Sequence, residues 1–409
     1  MFLRALQRIV RIAPGPARLA WTRVPRRLQD VAGPFIHPIA LGSRRGRLSI
    51  EVPEGLPARR FDVVLSGVGE DSGLPQRFGD LGHRVIDVGA ERLDDVARRE
   101  RVLDAVYVYS GQTDVTLARR LGWRVVSRDA LTEQPSGGAA QRPSLRPADW
   151  LASAFPTVSV VVVTHSNASL CRSCLESVAR NSGWPRLDVV VVDNGSTDET
   201  RSMLETFGAS RLPIRVIHNP DNHGFARAAN QGIRATSGEY VVLLNDDAAV
   251  APGWLSRLVS RFEANDRFGL LCPTTNAANS LACVPVRYAT LFDMEEFAIR
   301  RAFDYRGAWR EATVVSLFCA LTRRSILESI GLLDERFAVG MFEDDDLSFA
   351  LKKRGFDLGI ALDAFVHHVG QASFSRLSDS DYLALWEANR RRFEEKWGVR
   401  WHPPERNSM

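Results

Sequence analysis

The sequence predicts an α/β protein, and three observations carry that prediction. Short runs rich in β-branched residues recur along the chain, the gaps between them suit crossover helices, and the later runs are apolar without alternation, as strands buried on both faces are. A length of 409 residues fits two cores plus connecting segments. With 45% hydrophobic and 25% charged residues, wholesale disorder is excluded. A balance of 53 basic against 49 acidic side chains, +4 overall, does not describe a nucleic-acid binder.

Along the chain, residues 1–30 form a basic arm. Arg4, Arg8, Arg11, Arg18, Arg23, Arg26 and Arg27 all precede the first acid, Asp30, while Phe2, Leu3, Leu6, Ile9 and Val10 fall at helical spacing. Such a helix fits either a foot on anionic lipid or a helix packed on its own domain. Residues 31–133 read as a small Rossmann-like α/β domain, its strands predicted at Phe61–Leu65, Gly82–Val88, Ala105–Tyr109 and Trp123–Val126. The Gly67-Val-Gly69 turn lacks the third glycine of a dinucleotide site, so this domain is read as scaffolding rather than as a cofactor site. Residues 134–155, with Pro135, Gly137, Gly138, Pro143 and Pro147, have linker composition. Residues 156–409 then form the second domain.

The chemistry lies in that second domain. A strand over Thr157–Val163 ends in Thr164-His165-Ser166-Asn167, and a second over Leu187–Val192 ends in Asp193-Asn194-Gly195-Ser196-Thr197-Asp198. Polar residues at the carboxyl ends of buried strands line the crevice where α/β sheets bind ligands. Asp193 is suited to accept from a base N–H, whereas Ser196 and Asp198 are equally suited to capping the next helix. A helix starting near Gly224 leads to a third strand, Val241–Leu244, which runs into Asn245-Asp246-Asp247. Adjacent acids at a buried strand end call for a cation, and hard oxygen ligands suit Mg²⁺ or Mn²⁺ carrying a diphosphate. A solvated turn before Pro252 is the plainer alternative. Later, Glu343-Asp344-Asp345-Asp346 precedes Leu347–Leu351 and opens a helix, where carboxylates gain from the helix dipole.

In this order the motifs resemble glycosyltransferase family 2, inverting enzymes of the GT-A fold, from Val158 to about Trp397. The resemblance rests on Thr164, Asp193-Asn194-Gly195-Ser196, Gly224-Phe-Ala-Arg-Ala-Ala-Asn230, Leu244-Asn-Asp-Asp247, Gly331–Phe337, Phe342–Leu347 and Val366-His-His-Val-Gly370. It implies a Rossmann-like GT-A domain that uses a nucleotide-sugar donor. Thr164, Ser166, Asp193, Asn194, Gly224, Arg227, Asn230, Asn245 and Asp246 would line the donor site. Asp247 and His368 would hold Mn²⁺ or Mg²⁺, with His367 as the competing imidazole; a nitrogen ligand tilts the preference towards Mn²⁺. Asp344, beside Glu343, would be the catalytic base. Likeness to rhamnosyltransferase-like and galactofuranosyltransferase-like members suggests a deoxythymidine or uridine diphosphate sugar and a cell-envelope glycan or lipid-linked acceptor, with acceptor choice in the irregular segment from about Cys272 to Val314. The alternative from another class is a non-catalytic nucleotide- or carbohydrate-binding module of a polysaccharide assembly complex.

Five cysteines make no disulfide framework, and no run approaches the ~18 apolar residues of a membrane span. The expectation is a cytoplasmic protein, with peripheral contact to an anionic inner membrane face through residues 1–27. Cys171-Arg-Ser-Cys174 has redox spacing but lies within a helix, so it is read as packed thiols. Tyr382, Trp386, Arg390, Phe393 and Trp397 form a helical stripe read as core packing or as a cover for the acceptor site.

Overall fold

A computed structural model of the chain describes residues 155–208, 212–278, 280–337, 339–370 and 378–404, together with the backbone of six earlier strands. The basic arm, the Gly67–Gly69 turn and almost all of the linker lie outside the described residues. Of the early strands, β1 (Leu41–Gly42) and β2 (Arg47–Leu48) form an antiparallel pair. Strands β3 (Asp62–Ser66), β4 (Val85–Asp87), β5 (Ala105–Tyr109) and β6 (Arg124–Ser127) pair in parallel in the order β4-β3-β5-β6. Each falls within one residue of, or inside, a β-branched run of the sequence.

The second domain is built on a nine-stranded mixed sheet. Its parallel part comprises β7 (Val158–Thr164), β8 (Leu187–Asn194), β9 (Ile214–Asn219) and β10 (Tyr240–Asn245), in the spatial order β10-β7-β8-β9. Val158, Val160 and Val162 of β7 have no exposed surface, nor have Val190, Val191 and Val192 of β8. Burial on both faces explains why these runs do not alternate. Strand order reverses at β7, which places the crevice for a ligand at the carboxyl ends of β7, β8 and β10.

Beyond β10 the sheet changes direction. β14 (Cys319–Arg323) joins β10 antiparallel, β12 (Phe268–Thr274) joins β14, and β15 (Asp357–His368) runs parallel to β12. β15 is long enough to pair also with β11 (Ala248–Val250) and with β13 (Trp309–Glu311), both antiparallel. The pairing sets Ala248 opposite His368, so the far end of β15 returns to the residue after Asp247.

Helices cover the sheet. In chain order they are α1 (Ala168–Asn181), α2 (Thr200–Gly208), α3 (Phe225–Ala235), α4 (Trp254–Glu263), α5 (Leu291–Asp304), α6 (Arg324–Ile330), α7 (Glu343–Lys353) and α8 (Asp379–Trp397). α3 packs on β7 and β8, α4 on β12 and β15, and α5 on β15. The segment 272–314, expected to be irregular, contains α5, whose start is capped by Thr290 Oγ1 accepting from the Asp293 N–H at 3.1 Å. That Thr-x-x-Asp pattern is a capping signal which the irregular composition around it hid. Among the described residues no helix is long and apolar enough to cross a membrane.

Candidate active site

Register aligns the polar strand tips. Thr164 lies opposite Asp193, Asn194 opposite Asn219, and Asn245 opposite Val163, so the three predicted tips share one edge. Thr164 Oγ1 donates to Asp246 Oδ2 at 2.7 Å, and Asn167 Nδ2 donates to the same oxygen at 3.2 Å. Both Thr164 and Asp246 are buried, so these bonds fix the carboxylate instead of competing with water. Asp193 accepts from the Ser196 N–H at 3.0 Å through Oδ1, and its Oδ2 lies 2.9 Å from His218 Nδ1. A carboxylate has about four acceptor positions, so these contacts leave capacity for a base N–H.

The turn after β8 is held from both sides. Gly195 takes φ +76, and a Cβ there would lie 2.5 Å from the Asp221 carbonyl carbon. Ser166, at φ +51, receives the Thr197 N–H on Oγ at 2.9 Å, and its own N–H goes to Ser196 Oγ at 2.8 Å. Asp198 is a cap for two helices at once, accepting from the N–H of Thr200 at 3.1 Å and of Ala168 at 3.2 Å. Of the two open readings for Ser196 and Asp198, these bonds favour the structural one.

Two residues expected at the donor are spent inside the protein. Asn194 Nδ2 donates to Asn222 Oδ1 and Gly224 O, while its Oδ1 accepts from Asn219 Nδ2 and the His223 N–H. Asn230 bridges α3 to the segment after α6, donating to Leu333 O and Glu335 Oε1 at 2.9 Å and accepting the Leu333 N–H at 3.1 Å. Both amides shape the loops around the crevice. Gly224, at φ +82, opens α3, and Arg227 is exposed on its first turn.

At β10 the acids divide their work. Asp247 Oδ2 accepts the Gly370 N–H at 3.0 Å, and Oδ1 lies 3.1 Å from His368 Nε2 yet receives no hydrogen bond of acceptable angle. His368 Nδ1 is 2.8 Å from the Ala277 carbonyl, an acceptor, so Nδ1 carries a proton and Nε2 faces Asp247. An imidazole nitrogen and a carboxylate oxygen at that separation need a proton or a cation between them. A divalent ion fits this donor pair, and the Ala277 carbonyl supplies the outer bond that orients a ligating histidine. Asn245 Nδ2, 3.3 Å from the same Nε2, closes the group. Burial works to raise the Asp247 carboxyl, but His368 and the Gly370 N–H outweigh it and hold it below its ordinary value. Among the described residues no three His, Cys, Asp or Glu side chains meet as a cage. Two protein ligands nevertheless fit an ion completed by substrate phosphates. His367 points the other way, with Nδ1 2.7 Å from the Tyr288 hydroxyl in the core, because successive residues of a strand alternate faces.

The second acid cluster opens α7, as its sequence position predicts. Phe225 N–H donates to Val339 O at 3.3 Å, which ties the segment before α7 to the start of α3 beyond the tip of β9. Asp345 Oδ1 accepts from Trp401 Nε1 at 2.8 Å, and Asp346 accepts from Lys396 Nζ at 2.7 Å and Trp397 Nε1 at 2.8 Å. Glu343 Oε2 is buried without a hydrogen bond. Burial, then the Asp344 charge, pushes the Glu343 carboxyl up to about 8; burial also raises Asp344, and burial with Asp344 pushes Asp345 up to about 8. Nothing in the sequence points to His218 or to the contacts of Lys396 and Trp401, and the bonds that Asn167 and Gly370 make to Asp246 and Asp247 cannot be read from the motifs in which those two residues lie. All are side-chain or backbone partners brought in by topology.

The two thiols of the Cys-x-x-Cys are wholly buried, with Cys174 Sγ donating to Asn245 O at 3.4 Å, and burial pushes both far above the ordinary thiol range. They are packed thiols, as read.

Residues 159–331 match the sequence model of Glycosyl transferase family 2. The chain is similar to an O-antigen biosynthesis protein of Myxococcus xanthus, 27% identical over 58% of this chain and 19% of that protein. It is similar also to a glycosyltransferase, AglE, of Haloferax volcanii, 26% identical over 54% of this chain and 67% of that one. A solved mannosyltransferase of Pyrobaculum calidifontis, in complex with GDP-Man and Mn²⁺, overlays at a TM-score of 0.43, with 21% identity over 58% of this chain and 65% of that one. The chain spans 19% and 34% of the length of the first two relatives it matches.

Proposed function

Since this chain belongs to glycosyltransferase family 2, we propose that it transfers a sugar, with inversion, from a nucleoside diphosphate to a hydroxyl of a cell-envelope glycan or lipid-linked acceptor. The observation that carries this reading is the presence of two carboxylate sets in opposite electrostatic states. At the end of β10, Asp246 and Asp247 are buried and hydrogen-bonded, and the Asp247 carboxyl is held below its ordinary value; at the start of α7, Glu343 and Asp344 are half-buried side by side, without a donor from α8, and desolvation raises both carboxyls. Environments that push acids apart in this way separate binding from proton transfer.

In this reading the nucleotide lies over the tips of β7 and β8. Thr164 and Asn167 hold Asp246 towards the ribose, and Asp193, braced by His218 and Ser196, accepts from the base. Asp247 and His368 would hold the divalent ion, which when bound supplies charge against the diphosphate as it leaves. Asp344 takes the proton of the acceptor hydroxyl. That oxygen bonds to the anomeric carbon as the bond from the anomeric carbon to the diphosphate oxygen breaks, and the electron pair leaves with the nucleoside diphosphate. Attack from the face opposite the leaving group inverts the anomeric centre. Burial raises the basicity of Asp344, and the Asp344 charge helps keep the neighbouring Glu343 carboxyl protonated. For the donor, a deoxythymidine or uridine diphosphate sugar such as rhamnose or galactofuranose is proposed, and Mn²⁺ is preferred over Mg²⁺ on the strength of the imidazole. Residues 1–27 would bring the chain to an anionic membrane face, and residues 31–133 would form a separate scaffolding domain.

The test is release of nucleoside diphosphate from a panel of uridine, deoxythymidine and guanosine diphosphate sugars, with Mn²⁺ or Mg²⁺ and a crude lipid-linked acceptor. Metal-dependent release from one donor is expected. Binding without turnover for every donor would favour the non-catalytic module.

A further inference from the structure

The backbone leading into the acids of α7 is held in a conformation that its residues disfavour. Val339, Met341 and Phe342 take φ of +66, +76 and +72, with Gly340 between them. A β-branched and an aromatic side chain in the left-handed region are both costly, and such a run persists only where its surroundings dictate it. The surroundings here come from the C-terminal helix and the residues after it. Asn389 of α8, fully buried, donates from Nδ2 to Gly340 O at 2.8 Å and to Met341 O at 3.2 Å. The Phe342 ring sits between Trp386, at 5.8 Å, and Trp401, at 5.2 Å, with Phe393 behind it. Lys396 Nζ bridges Asp346 at 2.7 Å and Asp334 at 2.8 Å, and Arg336 grips the other face of Asp334. Trp397 and Trp401 give their indole N–H groups to Asp346 and Asp345.

These contacts share the four acids of α7 in a definite way. Asp345 and Asp346 are consumed by α8 and its tail, and Glu343 and Asp344 receive nothing from them. We propose that Asn389, Lys396 and Trp401 are positioning residues: the C-terminal helix clamps the strained 339–342 segment and the back of the α7 acid cluster, and so aims Glu343 and Asp344 at the acceptor. The proposal rests on the reading of Asp344 as the base. It gives the aromatic stripe of α8 a function beyond core packing, through the segment that the stripe holds.

The test uses the full chain with Lys396→Met, Lys396→Arg and Trp401→Phe, the last keeping a ring in place while removing the N–H to Asp345. Two quantities are read: hydrogen exchange of the amides of 339–346, and the pH dependence of kcat and donor KM with the nucleotide sugar that the wild type uses. The expected result for Lys396→Met is faster exchange at 342–346 and a kcat lower by roughly 10- to 100-fold, the cost of a misplaced reacting group, with donor KM little changed. Loss of the ammonium removes a charge that favours ionised carboxylates, so the acid limb of kcat moves to higher pH. Lys396→Arg restores most of the rate, and Trp401→Phe gives the same pattern more weakly. Unchanged exchange at 339–346 in both Lys396→Met and Trp401→Phe overturns the proposal. So does a fall in kcat that tracks loss of folded protein, with no shift of the pH limb and no rescue by arginine. A wild type inactive on every donor would sink the reading of the site, while the exchange data would still decide whether the clamp exists.

Discussion

The two acidic clusters of the second domain are alike in composition and opposite in circumstance. Asp246 and Asp247 end a central strand, and donors from β7, α1 and the chain after β15 meet them before any ligand arrives. Among the α7 acids, side-chain donors from α8 and its tail reach Asp345 and Asp346 only; Asp344 Oδ1 accepts the Asp345 N–H at 3.0 Å, and Glu343 is left with an unbonded buried oxygen. A carboxylate whose partners outweigh its desolvation stays ionised and suits a cation or a phosphate-bearing ligand, whereas one raised by desolvation takes up a proton more readily and, once deprotonated, suits a base. In the proposed function the clusters divide donor binding from proton transfer, and this division can be broken at several points.

The largest effect is expected from Asp344→Asn, which keeps shape and removes the base. Turnover should fall by about 10²- to 10⁴-fold, with nucleotide-sugar affinity by calorimetry unchanged. Asp247→Asn should do the converse at the other cluster, weakening metal and donor binding by roughly 10- to 100-fold, as read by Mn²⁺ titration and donor calorimetry. Glu343→Gln probes the cost of the second cluster. The fold raises this carboxyl from an ordinary 4.5 to about 8, so its stability contribution is full below the lower value and is lost as pH rises through the higher one. The variant should be more stable than the wild type at alkaline pH, by up to about 5 kcal/mol, and match it near pH 4, as read by thermal melting at both pH values. Thr164→Val, which removes one neutral donor from Asp246, should be the mildest, costing about 1 kcal/mol of donor affinity.

How legible these clusters are in the sequence follows from how local their determinants are. The strand ends at Thr164, Asp193 and Asp246 could be read because a β-branched run that stops at a polar residue marks both the strand and its tip. The opening of α7 could be read because four acids before an apolar helical pattern mark an N-terminus. Whether His367 or His368 faces Asp247 could not, because alternation along β15 fixes one face only once β11 pairs with it. Asn194 and Asn230 lie in the right motifs, but their four amide atoms find partners inside the chain, a matter of loop geometry that composition does not record. The stripe of Tyr382, Trp386, Phe393 and Trp397 was visible as a stripe. Its destination, the turn at 339–342, depends on a contact across some fifty residues of chain.

The most direct test of this division is the pH dependence of donor binding and of turnover measured side by side on the wild-type chain, from about pH 5 to about pH 9. A base must be deprotonated to act, so turnover should rise with pH across this range, while donor affinity, governed by carboxylates already ionised and by the His368 imidazole, should stay level once that imidazole is neutral, above about pH 7. Turnover and affinity that titrate together above that pH, or a turnover that is flat where affinity changes, would contradict the separation of the two clusters.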